Sequence, residues 1–350
     1  MNVRLVIPDL VWPGEVSGVY DDLTVPALEH LLAKGRRASA PSETLEGWLL
    51  ADFGVALGDE LPVAPYTLLA DGGEPGADAW MRADPVHVQV AREALLLADA
   101  TTFPLDRGEA ERLVESLNGH FAPAGLAFRA LRPDRWYVRL PALPRLTTTP
   151  LPHARGRAVS MELASGADAV KWHGIANEAQ MLLHTDPVNA ARETRGAPAV
   201  NSIWLWGAGR LQPVASRSGA RVYADEPLAR GLAMAARTPL DELPASGEAL
   251  LARAPREGGL ALVVLDHLRG AAAYGEAGAW RERLAAIERD WIAPLRAALR
   301  DGRIGMLTVA SPGEGGSLRV ETTRQDLRYF WRRTRSLGEQ AAWAAGKPED

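Results

Sequence analysis

Cysteine is absent, which excludes disulfides, thiolate metal sites and cysteine nucleophiles at once. Lysine is scarce: Lys34, Lys171 and Lys347 are the only three, and the other basic residues are arginine. Arginine and alanine in such excess are the usual mark of a GC-rich genome, though arginine also suits bidentate contacts to carboxylate or phosphate. Positive charge is not in surplus. The formal net charge is −5, so nucleic acid is not the expected partner. No apolar run approaches the ~20 residues of a membrane span. The opening MNVRLVIPDLVW meets Asp9 and Pro13 too soon for a signal peptide, so a cytoplasmic protein without membrane contact is expected. The seven histidines end at His267, and none shows the i, i+4 spacing of a helical metal pair.

What remains is ordinary globular material: 350 residues, 47% apolar and 24% charged, enough for one large domain or two smaller ones. Val3 to Ile7 reads as a buried strand, and Val25 to Lys34 as a helix carrying Leu28, Leu31 and Leu32 on one side. Thr44 to Val55 is a further helix candidate. From about Pro62 to Leu146 short alternating runs such as Val86–Val90 and Trp136–Leu140 dominate, with one helix at Gly108 to His120. That stretch is expected to be an inserted α+β subdomain, 62–146, ending in a proline-rich linker. The remainder, 1–61 and 147–350, alternates strands and helices. Asn201 to Trp206, Leu260 to Leu265 and Ile304 to Val309 are apolar on both faces, as in a parallel sheet covered on both sides. Ala279 to Leu299 is an amphipathic helix with a kink expected at Pro294.

Ligands of open parallel sheets bind beyond the carboxyl ends of the strands. Asp9 and Asp266 each follow an apolar run directly, as a metal ligand or as a turn residue bonding its own backbone. Gly207-Ala208-Gly209-Arg210 follows another; it is either an anion-wrapping exit or a plain tight turn. On the helix Ile175 to His184, Asn177, Gln180 and His184 share a face. They suit a ligand surface, a polar helix junction near Asn189, Arg192 and Glu193, or simply solvent.

Several segments together resemble a known group. Asn201 through Arg210, then Tyr223-Ala224-Asp225 and Pro227 to Gly231, resemble the substrate-side motif of archaeal-type 2,3-bisphosphoglycerate-independent phosphoglycerate mutases. Gln180 to His184, with Pro187-Val188-Asn189 and Arg192-Glu193, resembles a bacterial offshoot, the RpfE-type regulatory proteins. The resemblance implies an alkaline-phosphatase-like α/β fold, with a mostly parallel sheet and helices on both faces, plus the inserted α+β subdomain. In active relatives two divalent ions activate a Ser or Thr nucleophile. Carried over by position, Asp9 and Asp266 match metal ligands, and Ser42 falls where the nucleophile belongs. The histidine expected four residues after Asp266 is Gly270, the late Asp-His pair is Ala310-Ser311, and no final histidine exists. A non-catalytic descendant is therefore expected, with no cofactor and a regulatory or binding role. Its residual site would use Asn201, Gly207, Gly209, Arg210, Asn189 and Arg192 for a small phosphorylated ligand or a protein partner. Two alternatives stay open. One is an active mutase or phosphatase with a reduced manganese or zinc site, Ser42 as nucleophile and His184 or His267 as base. The other is an interaction module built on Tyr329, Phe330 and Trp331 beside Arg328, Arg332 and Arg333.

Overall fold

The computed structural model describes residues 1–14, 18–38, 44–91, 94–159, 163–215, 219–253 and 258–344. Along these residues the strands are Asn2–Val6 (β1), Arg36–Arg37 (β2), Ala79–Ala91 (β3), Ala94–Asp99 (β4), Ala127–Arg132 (β5) and Arg135–Leu140 (β6). They continue with Ser202–Gly209 (β7), Ala220–Tyr223 (β8), Leu240–Asp241 (β9), Leu260–Val264 (β10), Met306–Ser311 (β11) and Leu318–Thr323 (β12). The chain divides into two compact units, Met1–Val55 with Val214–Asp350, and Ala56–Pro213.

The first unit is an α/β layer structure. Its sheet runs β2-β12-β11-β1-β10-β8-β9. The strands from β11 to β9 are parallel, and β12 and β2 close one edge antiparallel. β1 lies between β10 and β11, with Leu5 opposite both Val263 and Val309. A central parallel strand has no solvent face, which explains its apolar residues Val3, Leu5 and Val6, and its one charge, Arg4, is paired with Asp52. Val3, Leu5 and Ile7 pack on one side with Leu28, Leu31 and Leu32 of the helix Pro26–Lys34. The other side is covered by Leu45–Asp52 and Pro227–Ala235.

The long C-terminal helix keeps its expected buried stripe, Trp280, Leu284, Ile287, Trp291, Leu295 and Leu299. It is interrupted as Ala277–Ile287, a π-helical turn Glu288–Ile292, and Ala293–Arg300. Pro294 has no N–H to give and its ring crowds the preceding turn, so the widened turn sits just before it.

The second unit is antiparallel. Its sheet runs β4-β3-β6-β5, and β7 pairs with β3 as well. The helices Arg107–Phe121 and Ala169–His184 cover one face around Trp136, Trp172 and Phe128. Here the structure corrects the sequence reading twice. The strand expected at Asn201 to Trp206 is not part of the parallel sheet but an antiparallel partner of β3, with Pro85 opposite Ile203. The segment 147–213, assigned above to the core, falls with the second unit for that reason. Burial on both faces is common to a parallel strand and to an inner antiparallel strand sandwiched by helices, so apolarity alone did not separate them. Among the described residues no helix is long and apolar enough to cross a membrane.

Candidate functional site

The carboxyl ends of β1, β10 and β11 are tied into one edge. Leu265 N donates to Val6 O (2.8 Å), Ile7 N to Ala310 O (2.8 Å) and Asp9 N to Pro312 O (3.0 Å). Asp9 takes a left-handed backbone, φ 57°, which Asp tolerates better than most residues. Gly313 lies so close that an added Cβ would stand 3.0 Å from Asp9 Oδ1. Asp266 follows β10 on the same edge, and His267 beside it is exposed. The structure therefore brings the two sequence-predicted aspartates to one strand-end edge.

Three further charged groups join them, and sequence reasoning missed all three. Glu46 opens the helix Leu45–Asp52, whose Thr44 cap accepts from Gly47 N. Glu226 caps Pro227–Ala235, accepting from Ala229 N at 2.6 Å. Arg269, three residues after Asp266, is buried and bonds Glu46 at 2.9 Å. Burial works against the Arg269 charge, but Glu46, Asp9 and Glu226 outweigh it and hold the guanidinium more firmly protonated than usual. Glu226 is the counterpart. Burial pushes its pKa up to about 7; the Ala229 and Leu228 N–H groups pull it back, and Asp266 and Glu46 add repulsion. The strand-end rule pointed to Asp266 but not one helical turn further on; a residue at that spacing, Arg269, was the signal available.

A dinuclear metal centre needs several carboxylate or histidine ligands per ion in defined geometry. On this edge Ala310 and Ser311 are buried at the end of β11, where Ser311 Oγ accepts from Leu10 N at 3.2 Å. An arginine occupies the carboxylate cluster. Among the described residues no group of three His, Asp or Glu is placed to hold a metal ion. The described residues of this edge do not fit the two-ion site that the resemblance implies. Ser42 lies outside the described residues.

The remaining predicted residues lie in the second unit, where the fold itself uses most of them. β7 bulges against β3 between Trp206 and Gly209, and Gly207 takes φ +70° there. At Gly209 an added Cβ would strike Pro62 at 2.4 Å. The bulge does present N–H groups to an anion, but that anion is internal. Ala208 N donates to Glu60 Oε1 (3.0 Å), and Gly207 N donates to Thr148 Oγ1 (3.2 Å), which itself donates to Glu60 Oε1 (2.7 Å). Arg210 donates to Ala77 O. Asn201 clamps β3, accepting from Val88 N and donating to Val88 O, both at 2.8 Å. Asn189 donates to Leu183 O and Val200 O, and accepts from Val200 N. Arg192 is fully buried, bonding Glu109 (2.6 Å), Pro198 O and Pro104 O. These groups are committed to holding the sheet and helices together. His184 ends its helix exposed. Asn177 and Gln180 do face a recess, a cavity of about 470 Å³ that Trp172 and Trp204 also line.

No family model matches the chain. A probable 2,3-bisphosphoglycerate-independent phosphoglycerate mutase from Geobacter sulfurreducens is 27% identical over 161 residues, 44% of this chain and 39% of that protein's length. Among solved structures, the PH0037 protein from Pyrococcus horikoshii matches over 100% of this chain and 98% of its own, with TM-score 0.52 and 12% identity. A cofactor-independent phosphoglycerate mutase from Thermoplasma acidophilum DSM 1728 aligns over 99% of this chain and 95% of its own, with TM-score 0.49 and 16% identity. The chain is thus homologous, over the matched stretch, to 2,3-bisphosphoglycerate-independent phosphoglycerate mutase, on a mixed α/β fold with a mostly parallel central sheet.

Proposed function

We propose that this chain is a phosphoglycerate-mutase-like protein that has given up metal-dependent phosphoryl transfer for a regulatory or binding role in the cytoplasm, in the manner of the RpfE-type proteins. The observation that carries the reading is Arg269. Its guanidinium lies buried among Glu46, Asp9 and Glu226 at the strand ends, and supplies there one fixed positive charge. A guanidinium neutralises carboxylates, but it cannot accept an electron pair from a nucleophile or a phosphoryl oxygen as a metal ion does. Gly270 and Ala310 add no ligand.

The test is metal content by mass spectrometry, after purification with manganese and zinc supplied and the excess dialysed away. Retention of neither metal, with no mutase or phosphatase activity, is the expected result. Two ions per chain would overturn the reading and restore an enzyme with Ser42 as its nucleophile.

A second reading has its own observation. Phe330 and Trp331 are 87% and 63% exposed, beside Tyr329, whose ring is covered by Arg332. Lys34 and Arg332 tie this segment to the helix Pro26–Lys34. The pair of exposed rings supports a protein partner docking there. Loss of a stoichiometric partner on Phe330→Ser with Trp331→Ser, at unchanged melting temperature, is the expected outcome; retention sinks it.

A further inference from the structure

The first unit carries a second polar recess, at the opposite edge of its sheet. Met306 opens β11 opposite Asn2, and Thr323 ends β12 opposite Met306, so the segments before β11 and after β12 lie at the amino ends of the parallel strands. Between them is a cavity of about 370 Å³ lined by Arg296, Arg300, Arg324, Arg328 and His30. Arg296 and Arg300 are one turn apart on Ala293–Arg300, and His30 comes from Pro26–Lys34.

Four guanidiniums around one recess repel each other unless something negative stands between them. The acidic groups within reach, Asp301, Glu288 and Asp326, offset part of this charge. Asp301 at the rim bonds Arg300 (3.0 Å), and its carboxyl is held below the usual range by that bond, with lesser contributions from Arg303 and Arg324. Glu288 offsets part of the Arg296 charge, while its oxygens accept from Ala27 N and Leu28 N rather than from a guanidinium. Asp326 is taken up by Thr323. Meanwhile His30 Nδ1 is buried without a hydrogen-bond partner. Burial holds the His30 pKa below its usual value, with Arg296 and Lys34 adding to the effect. In a chain of net charge −5, this is a local concentration of positive charge, in which Arg300 is ion-paired to Asp301 and, among the described residues, Arg296, Arg324 and Arg328 are not.

We infer that this recess is a binding site for a small, free, multiply charged phosphate compound, gripped by the forks of Arg296, Arg300, Arg324 and Arg328. Arginine forks match phosphate oxygens two at a time, and a recess of this size admits a small metabolite rather than a polymer backbone. The site is independent of the strand-end cluster, so it stands whether or not the chain retains catalysis.

The experiment is calorimetric titration of the full chain with sodium pyrophosphate, repeated over a range of salt concentrations. One pyrophosphate per chain is expected, with affinity falling as salt rises. The variant Arg324→Glu with Arg328→Glu uses two exposed positions, so folding is preserved; it should weaken binding by about tenfold per guanidinium lost or more. A matched reversal in the second unit, Arg107→Glu with Arg132→Glu, should leave it unchanged. Absence of saturable binding, or equal weakening by both pairs, overturns the inference. So does binding to vesicles of phosphatidylcholine doped with a phosphoinositide when pyrophosphate is ignored, which would make the source a lipid headgroup.

Discussion

Each unit buries an arginine among carboxylates, and the two clusters are balanced differently. In the second unit Arg82 pairs with Asp84 at 2.6 Å, and the other Asp84 oxygen takes Trp206 Nε1 at 2.7 Å. The rings of Tyr137 and Trp206 flank the guanidinium, each 5.2 Å away. Beside it Asp71 is bridged by both Arg135 nitrogens and by the Tyr137 hydroxyl. Arg132 lies 3.5 Å from Asp71 as well, so each carboxylate has at least one guanidinium against it. At the strand ends of the first unit, Arg269 faces Glu46, Asp9 and Glu226, with Asp266 close enough to repel Glu226. There burial favours the protonated form of Glu226. Burial raises the pKa of a carboxylate in each unit, but Asp84 has Arg82 bonded directly to it, whereas Glu226 is held by the Ala229 and Leu228 N–H groups.

That contrast can be broken at several points. The largest effect is expected at Asp84→Ala, which strands Arg82 in a dry interior and should cost about 3–5 kcal/mol, read as a lower denaturant midpoint. Next comes Glu226. Its folded pKa lies above the unfolded one, so its contribution to stability is fully present below about pH 4 and is lost as pH rises through about 7. Glu226→Gln keeps an oxygen for Ala229 N but cannot ionise. Between pH 5 and 8 wild type should lose about 3 kcal/mol relative to this variant, measured by denaturant unfolding across pH. An identical pH profile in the two proteins would mean that Glu226 is not the group settling the charge. Glu60→Gln is expected to cost about 1–2 kcal/mol, because an amide cannot receive Thr148 and Ala208 donors on both atoms. Faster amide exchange at Gly207 and Ala208 would report it. The smallest effect is at the exposed pair of Arg303 and Glu248, 3.4 Å apart, where Arg303→Ala should change stability by less than about 0.5 kcal/mol.

Much of the local structure was written in the pattern. The Trp280 to Leu299 stripe, the break at Pro294, the helix Pro26–Lys34 and the strands around Leu5 and Val263 follow from spacing and from the chemistry of proline. Asp9 and Asp266 could be placed on one edge because each ends an apolar strand. The assignment of β7 could not be made in that way. A strand buried on both faces carries no mark of its partner, and only the pairing of Ile203 with Pro85 decided it.

The glycine turn shows the same division within four residues. From Gly207 to Arg210 the sequence determined a permissive backbone and a set of N–H groups ready for an anion. It could not say that the anion is the carboxylate of Glu60, brought by the fold from 148 residues away in the chain. In the same way the sequence showed Gly270 after Asp266 and Ala310-Ser311 at the end of β11. That Arg269 brings a positive charge there, and that burial raises the Glu226 pKa, was decided only when three helix ends met at one sheet edge. Electrostatic energy depends on separations in space, and separation along the chain does not contain them.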